Sequence, residues 1–219
     1  MSAKGTGRLA KHPVRATFIF GRFPSKTRRV HPASRSAKPD PAPPRLAISI
    51  LAGGLSTRMG RDKTTLRLRG KTLLGHVRTV AKATDWPVRV IRRDLVTRCG
   101  PLGGIYTALK TSRADAELFL ACDMPFVSLN LLREISTKLS SSRHAVFAVV
   151  DGTAGFPFVI RKEGLPIVEA QMARGEFSLQ KLALALKARR VRVPKSRQRE
   201  VQNFNTPEEF REALRSVNI

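Results

Sequence analysis

The chain has 219 residues, 42% of them hydrophobic, which suffices for one substantial core and, on length, for one catalytic domain with or without a tail. No apolar run approaches the roughly 20 residues that cross a bilayer, and the first residues lack the sustained apolar stretch of a secretory signal, so no membrane partner and a cytoplasmic location are expected. The net charge of +25 divides into +10 on residues 1–45 and +15 on the remainder, but the remainder holds one Trp, one Tyr and no compact basic-aromatic motif. That composition argues against nucleic acid as the main partner and leaves polyanionic small molecules such as nucleotides.

Residues 1–44 carry scattered Lys and Arg, the prolines Pro39, Pro41, Pro43 and Pro44, and no sustained periodicity, and are expected to form a disordered basic extension before a folded domain over 45–219. The run Phe18-Ile19-Phe20 reads equally as a docking element, a targeting remnant or the product of a start assigned too far upstream. From Leu46 onward, short apolar runs alternate with helical patterns, which predicts βα units in a three-layer, doubly wound, mainly parallel α/β sheet. Leu46 to Ala52 is the first predicted strand, Thr72 to Thr84 a helix, Val88 to Arg92 a strand, Gly104 to Arg113 a helix and Glu117 to Cys122 an apolar central strand. Leu129 to Ser140 follows as an amphipathic helix, then strands at Ala145 to Val150 and Phe156 to Ile160, the second antiparallel and placed at the sheet edge. Helices at Leu165 to Arg174 and Ser178 to Ala188, a short strand at Val191 to Val193 and a last helix opening near Thr206, Pro207 and Glu209 complete the chain.

Three signals carry chemistry. The string from Leu51 to Lys63 (LAGGLSTRMGRDK) is a strand end followed by a glycine-rich basic loop, in which glycines admit phosphates close to backbone amides while Arg58 and Lys63 add charge. It is neither a Walker loop nor a dinucleotide fingerprint. Cys122-Asp123-Met124-Pro125 puts an acid at the carboxyl end of an apolar strand, where ligands bind in α/β sheets. Taken alone, Asp123 is better read as a cap of the turn before Pro125; beside a glycine-rich loop it becomes the Mg²⁺ candidate, because Mg²⁺ binds through one or two carboxylates plus phosphates and water. Asp94, ahead of Gly100-Pro-Leu-Gly-Gly104, is either a post-strand turn residue or a polar contact or second carboxylate at the nucleotide.

The histidines His12, His31, His76 and His144 form no ligand spacing and no serine stands in a nucleophile elbow, which speaks against zinc chemistry and hydrolytic triads. Cys99 and Cys122 have no CxxC spacing and are expected as buried reduced thiols, with a disulfide the minor alternative.

In this order the motifs resemble the molybdenum cofactor guanylyltransferase family of MobA-like nucleotidyltransferases, within the glycosyltransferase-A-like group, over roughly residues 46 to 215. LAGG…RMG.DK is specific to the group, and GPLGG followed by ACDMP points to the molybdenum cofactor branch. Asn203-Phe-Asn-Thr-Pro-Glu-Glu209 resembles that family's closing motif, and Gly155-Phe-Pro-Phe158 partly matches a later segment, with Phe156 where a more polar residue is common. Between Lys63 and Asp94 there is text for one helix and one strand, where family members have room for a further pair. The resemblance implies that Leu51, Ala52, Gly53, Lys63, Asp94 and Asp123 contact GTP, that Asp123 coordinates Mg²⁺, and that Asn203 and Asn205 face the acceptor. It further implies GTP and molybdopterin as substrates, with molybdoenzymes or cofactor-insertion proteins as partners.

On that reading an acceptor phosphate oxygen attacks the α-phosphorus of GTP and pyrophosphate leaves in line. The phosphate is already ionised near neutrality, so catalysis reduces to positioning and charge stabilisation by Asp123 with its metal, Lys63 and Arg58. Other readings stay open at this point: CTP in place of GTP, a sugar or polyol phosphate acceptor, or a non-catalytic nucleotide- or nucleic-acid-binding protein.

Overall fold

The structure is a computed structural model in which residues 43–53, 66–204, 209–211 and 215 are described. The extension expected over 1–44 lies outside them except for its last two residues, as do the glycine-rich loop with Arg58 and Lys63, Asn205, and the start of the last helix at Thr206 and Pro207. All described residues fall within one unit, Pro41–Ile219.

Six strands form one sheet: β1 (Leu46–Leu51), β4 (Val88–Ile91), β5 (Ala116–Ala121), β6 (Ala145–Val150), β7 (Thr153–Arg161) and β8 (Arg189–Arg192), in the order β4-β1-β5-β7-β6-β8. β4 and β5 run parallel to β1 and β8 parallel to β6, while β7 is antiparallel to both its neighbours. The mainly parallel α/β expectation holds. The antiparallel strand is correctly anticipated, but its predicted place at the edge is wrong: it lies between β5 and β6, where Phe158 and Ile160 are fully buried. A nine-residue strand with apolar side chains on both faces needs cover from both layers, which an edge position does not give.

Helices cover both faces. Ile48, Ile50, Leu118 and Leu120 pack on one side with α1 (Leu73–Lys82) and α3 (Leu129–Thr137). Leu51, Ile91 and Phe119 pack on the other with α2 (Pro101–Thr111), α4 (Leu165–Ala173) and α5 (Leu179–Ala185). Phe119, Phe158 and Phe147 stand directly opposite one another on β5, β7 and β6. Their rings stack at 5.0 and 4.4 Å between centroids, a cross-strand ladder that fixes the register of the antiparallel strand.

The helix starts follow local chemistry. The hydroxyl of Thr72 accepts from the Gly75 N–H at 3.0 Å and that of Ser128 from the Leu131 N–H at 3.1 Å, so each supplies an N-cap. α2 begins at Pro101, three residues before its predicted start at Gly104. Proline suits the first helical position, where no N–H is needed, and Gly100 before it takes φ 54°. A two-stranded hairpin, β2 (Arg67–Leu68) and β3 (Lys71–Thr72), is absent from the sequence reading. Its turn residues Arg69 and Gly70 both have positive φ (49° and 75°), the type I′ geometry of two-residue hairpins.

Among the described residues no helix is long and apolar enough to cross a membrane. Neither cysteine forms a disulfide, as expected; Cys99 is buried, and Cys122 is half-buried where a buried thiol was expected. His76 is half-buried, with a ring nitrogen 2.8 Å from the Leu68 carbonyl oxygen.

The start of β1 is tied by charge: Arg45 donates to both oxygens of Asp115, at 2.8 and 3.2 Å through its side chain and at 2.9 Å through its N–H. These bonds hold the Asp115 carboxyl down at about 2. A carboxyl depressed in the fold stabilises it above the unfolded value, and that contribution is lost as pH falls from about 4 through about 2. NMR titration of the side-chain carboxyl should give a midpoint near 2 for Asp115, returning toward about 4 in an Arg45→Gln variant.

Candidate functional site at the carboxyl edge of the sheet

The parallel strands end together. Past the last paired residues of β1, the Ala52 N–H still donates to the Ile91 carbonyl at 2.8 Å and the Cys122 N–H to the Leu51 carbonyl at 3.1 Å. Leu51, Ala52 and Gly53 therefore lead out of the sheet between the segment that carries Asp94 and the segment that carries Asp123. These are the three backbone strands expected to meet a nucleotide, and the structure brings them to one edge.

Asp94 sits beside three glycines. A Cβ on Gly53 would lie 3.4 Å from its Oδ1, one on Gly104 3.5 Å from the same atom, and one on Gly103 only 2.7 Å from its Oδ2. The contacts to Asp94 at Gly53 and Gly104 are ordinary ones that a side chain would tolerate, so it is the missing side chain of Gly103 that admits the carboxylate against the first turn of α2. The loop is held on the helix by the Leu95 N–H, which donates to the Thr107 hydroxyl at 2.8 Å. Oδ1 of Asp94 is buried without a hydrogen-bond partner, and burial raises the carboxyl above its ordinary value. Because burial raises this carboxyl, its ionised form weakens the fold, a cost that grows as pH rises above the unfolded value through the folded one, so Asp94→Asn should raise Tm at neutral pH, read by calorimetry.

Gly103→Ala tests this close approach. An interior helical Gly→Ala change ordinarily gains up to about 1 kcal/mol. Here the added Cβ would also stand 2.8 Å from the Val96 backbone oxygen, so a loss of about 1–3 kcal/mol in urea unfolding is expected.

Asp123 is 7% exposed at the end of β5, and its carbonyl accepts the Phe204 N–H at 3.3 Å. That bond brings the closing segment to the site. Phe204 is fully buried with Leu68 and Leu73, and its ring meets Phe126 and Phe210 edge-on at 5.9 Å each. The helical segment Lys195–Val201 ahead of it is fastened to α3 through Arg197, which donates to Glu134 at 2.9 Å and Glu200 at 2.7 Å. Burial pushes the Glu200 carboxyl up, but the Arg197 guanidinium and the Ser128 hydroxyl together hold it below its ordinary range. Asn203, one residue before the anchored Phe204, lines a cavity of about 530 Å³ together with Met124.

The sequence reading did not anticipate the wall of this cavity. Its lining includes Asp151, Thr153, Gly155 and Phe156, from the β6–β7 turn and the start of β7. Asp151-Gly152, with φ 47° and 82°, is a type I′ hairpin turn, and the Asp-Gly pair is a signal that could have located it. A register shift between Phe147 and Ala148 leaves Phe156 and Pro157 outside the β6 pairing, which takes Phe156 out of the aromatic ladder and into the cavity wall.

The donor set suits a hard divalent cation. Among the described residues there is no cluster of three or more metal-ligating side chains, and the buried carboxylate of Asp123 is an oxygen ligand of the kind Mg²⁺ uses when phosphates and water complete its shell. Zinc or iron sites would call for His and Cys in numbers this edge does not offer.

Comparisons with known proteins point the same way. Residues 48–91 and 78–191 match the profile of the family described as MobA-like NTP transferase domain, and the two matches overlap across α1 and β4. A probable molybdenum cofactor guanylyltransferase of Opitutus terrae is 34% identical over 186 residues, covering 75% of this chain and 92% of the relative. The molybdenum cofactor guanylyltransferase of a Pseudomonas putida strain is 33% identical over 200 residues, covering 80% of this chain and all of the relative. Among solved structures, the molybdopterin-guanine dinucleotide biosynthesis protein A of Archaeoglobus fulgidus superposes with a TM-score of 0.62 at 20% identity, over 78% of this chain and 98% of that one, and shares the fold.

Proposed function

This chain belongs to the MobA-like NTP transferase family and is a nucleotidyltransferase, and we propose that it transfers GMP from GTP to molybdopterin, releasing pyrophosphate, in the cytoplasm. The observation that carries the proposal is the junction at Asp123: a buried carboxylate at the carboxyl end of β5 whose carbonyl anchors the segment bearing Asn203. Nucleotide and acceptor sides of the reaction thereby share one residue.

Leu51, Ala52 and Gly53 present backbone to the nucleotide, and Asp94, its Oδ1 buried and unpartnered, offers an acceptor to a donor on GTP. Asp123 would hold Mg²⁺, which neutralises phosphate charge when bound. Lys63 and Arg58, outside the described residues, offset charge on the departing pyrophosphate. Asn203 and Asn205 orient the acceptor, whose ionised phosphate needs no protein base. Positioning and fixed charge are then the whole contribution of the chain. Residues 1–44 act as a basic extension outside this machinery.

The test is pyrophosphate release by the purified protein with Mg²⁺, molybdopterin and each of the four nucleoside triphosphates in turn. Release with GTP alone supports the proposal. Release with CTP, or only with a sugar or polyol phosphate as acceptor, would replace it with the corresponding transfer.

A further inference from the structure

A second cavity, of about 370 Å³, lies between the turn that leads into β6 and the end of α5. β6 runs in the same direction as β5, so this turn stands at the opposite edge of the sheet from Asp94 and Asp123, about 20 Å of strand away from the Asp151 turn. Arg143, His144 and Lys187 line the cavity with Ser142, and the half-buried Ile167 and buried Leu186 give it an apolar side. The backbone holds this set in place. The Arg143 N–H and the Arg161 guanidinium both donate to the Ser140 carbonyl at 3.2 Å, and the Arg161 N–H donates to the His144 carbonyl at 2.8 Å. On the other side α5 closes in a Schellman turn, with the Lys187 N–H on the Leu184 carbonyl and the Ala188 N–H on the Ala183 carbonyl, both at 2.9 Å. Lys187 takes the left-handed φ of 47° that such a turn requires, and its carbonyl accepts from the Arg143 guanidinium at 3.3 Å. Among the described residues that is the one hydrogen bond of the Arg143 side chain, and the Lys187 ammonium and the His144 ring have none.

We infer that this cavity binds an organic phosphate, a phosphate monoester carried on a small apolar body, at a site separate from the catalytic edge. Arginine offers paired N–H donors that match two phosphate oxygens, lysine a compact charge on a flexible stem, and serine and histidine further donors. Tying one N–H of Arg143 to the Lys187 carbonyl orients the guanidinium before a ligand arrives and lowers the cost of fixing it. The volume, about 370 Å³, is that of a small-ligand pocket and exceeds what a bare phosphate fills. What remains of the wall is Ile167 and Leu186, against which the apolar body rests. The inference does not depend on guanylyl transfer, since none of these residues belongs to the machinery at Asp94 and Asp123.

Lys187→Gly is the decisive variant, because glycine is the residue that a left-handed position after a helix favours, so the charge is removed while the fold is kept or strengthened. Phenyl phosphate, inorganic phosphate and benzoate would be titrated into isotope-labelled protein at about 0.15 M salt, where attraction to a merely basic surface is screened. Amide resonances of residues 142–144 and 186–188 report on the cavity, and those of Gly53 and Asp94 report separately on the catalytic edge. Phenyl phosphate should saturate the cavity signals about tenfold more tightly than inorganic phosphate, the gain from burying about 55 Å² of its ring. It should also bind there about tenfold more tightly than benzoate, which shares the ring but carries less charge and fewer acceptor oxygens. Lys187→Gly and Arg143→Gln should each weaken phenyl phosphate at the cavity by about tenfold or more, with circular dichroism unchanged. Ile167→Ala should weaken phenyl phosphate and leave inorganic phosphate as it was, since only the ring meets that side chain.

Shifts confined to Gly53 and Asp94 overturn the inference, because the phosphate then binds at the catalytic edge alone. So does equal affinity of the cavity for phenyl phosphate and either of the other two probes, or unchanged phenyl phosphate binding by a folded Lys187→Gly protein.

Discussion

Asp123→Asn should leave a folded protein whose GTP- and molybdopterin-dependent pyrophosphate release falls by about 10²- to 10³-fold, the cost of removing one preorganised electrostatic contact to a reacting phosphate. The substitution keeps the shape of the side chain and leaves intact the backbone bond from the Phe204 N–H to the residue 123 carbonyl, so the acceptor segment stays in place. What changes is the charge available to a divalent cation. The loss should therefore appear in kcat, and a Mg²⁺ titration of the variant should not restore it at concentrations that saturate wild type. Circular dichroism and unfolding midpoints near those of wild type would establish that chemistry and not folding was removed. Turnover above about a tenth of wild type would take Asp123 out of the mechanism.

Arg89→Leu is expected to destabilise the domain by about 3 kcal/mol or more, a large part of the 5–15 kcal/mol that holds a typical domain folded. Arg89 on β4 donates to the Ser49 hydroxyl at 3.0 Å, to the Thr111 hydroxyl at 2.8 Å, to the Ala108 carbonyl and to Glu117 at 3.0 Å. Glu117 is 1% exposed, and its other partners are the hydroxyls of Ser49, at 2.7 Å, and Ser112. Removing the guanidinium leaves a buried carboxylate with neutral partners alone. Replacing both charged residues by Leu should recover most of the loss, since apolar groups of similar size fill such sites without a desolvation cost. Urea unfolding with an unchanged m value is the measurement. A single variant within about 1 kcal/mol of wild type would show that the network is neutral.

Glu117 also marks where a one-dimensional reading stops. It is the second residue of a strand whose other residues are apolar; Ser112 is its one partner close in sequence, while the charged partner Arg89 and the hydroxyl of Ser49 lie 28 and 68 residues away. The same holds for Phe204. Asn203-Phe-Asn is visible as a motif, but that its phenylalanine anchors the segment to Asp123 depends on Leu68 and Leu73 from one part of the chain and Phe126 from another.

The sequence by itself determined the βα alternation, the elements that build the sheet, and the three motifs at Leu51–Lys63, Asp94 and Asp123. It could do so because periodicity, glycine-rich turns and strand-end acids are properties of neighbouring residues. Only the tertiary structure decided that β7 lies inside the sheet, that Gly103 leaves room for the Asp94 carboxylate, and that Asp151 and Phe156 line one cavity. Those facts depend on cross-strand register and on a bulge, which couple residues far apart in the chain through packing that no local window contains.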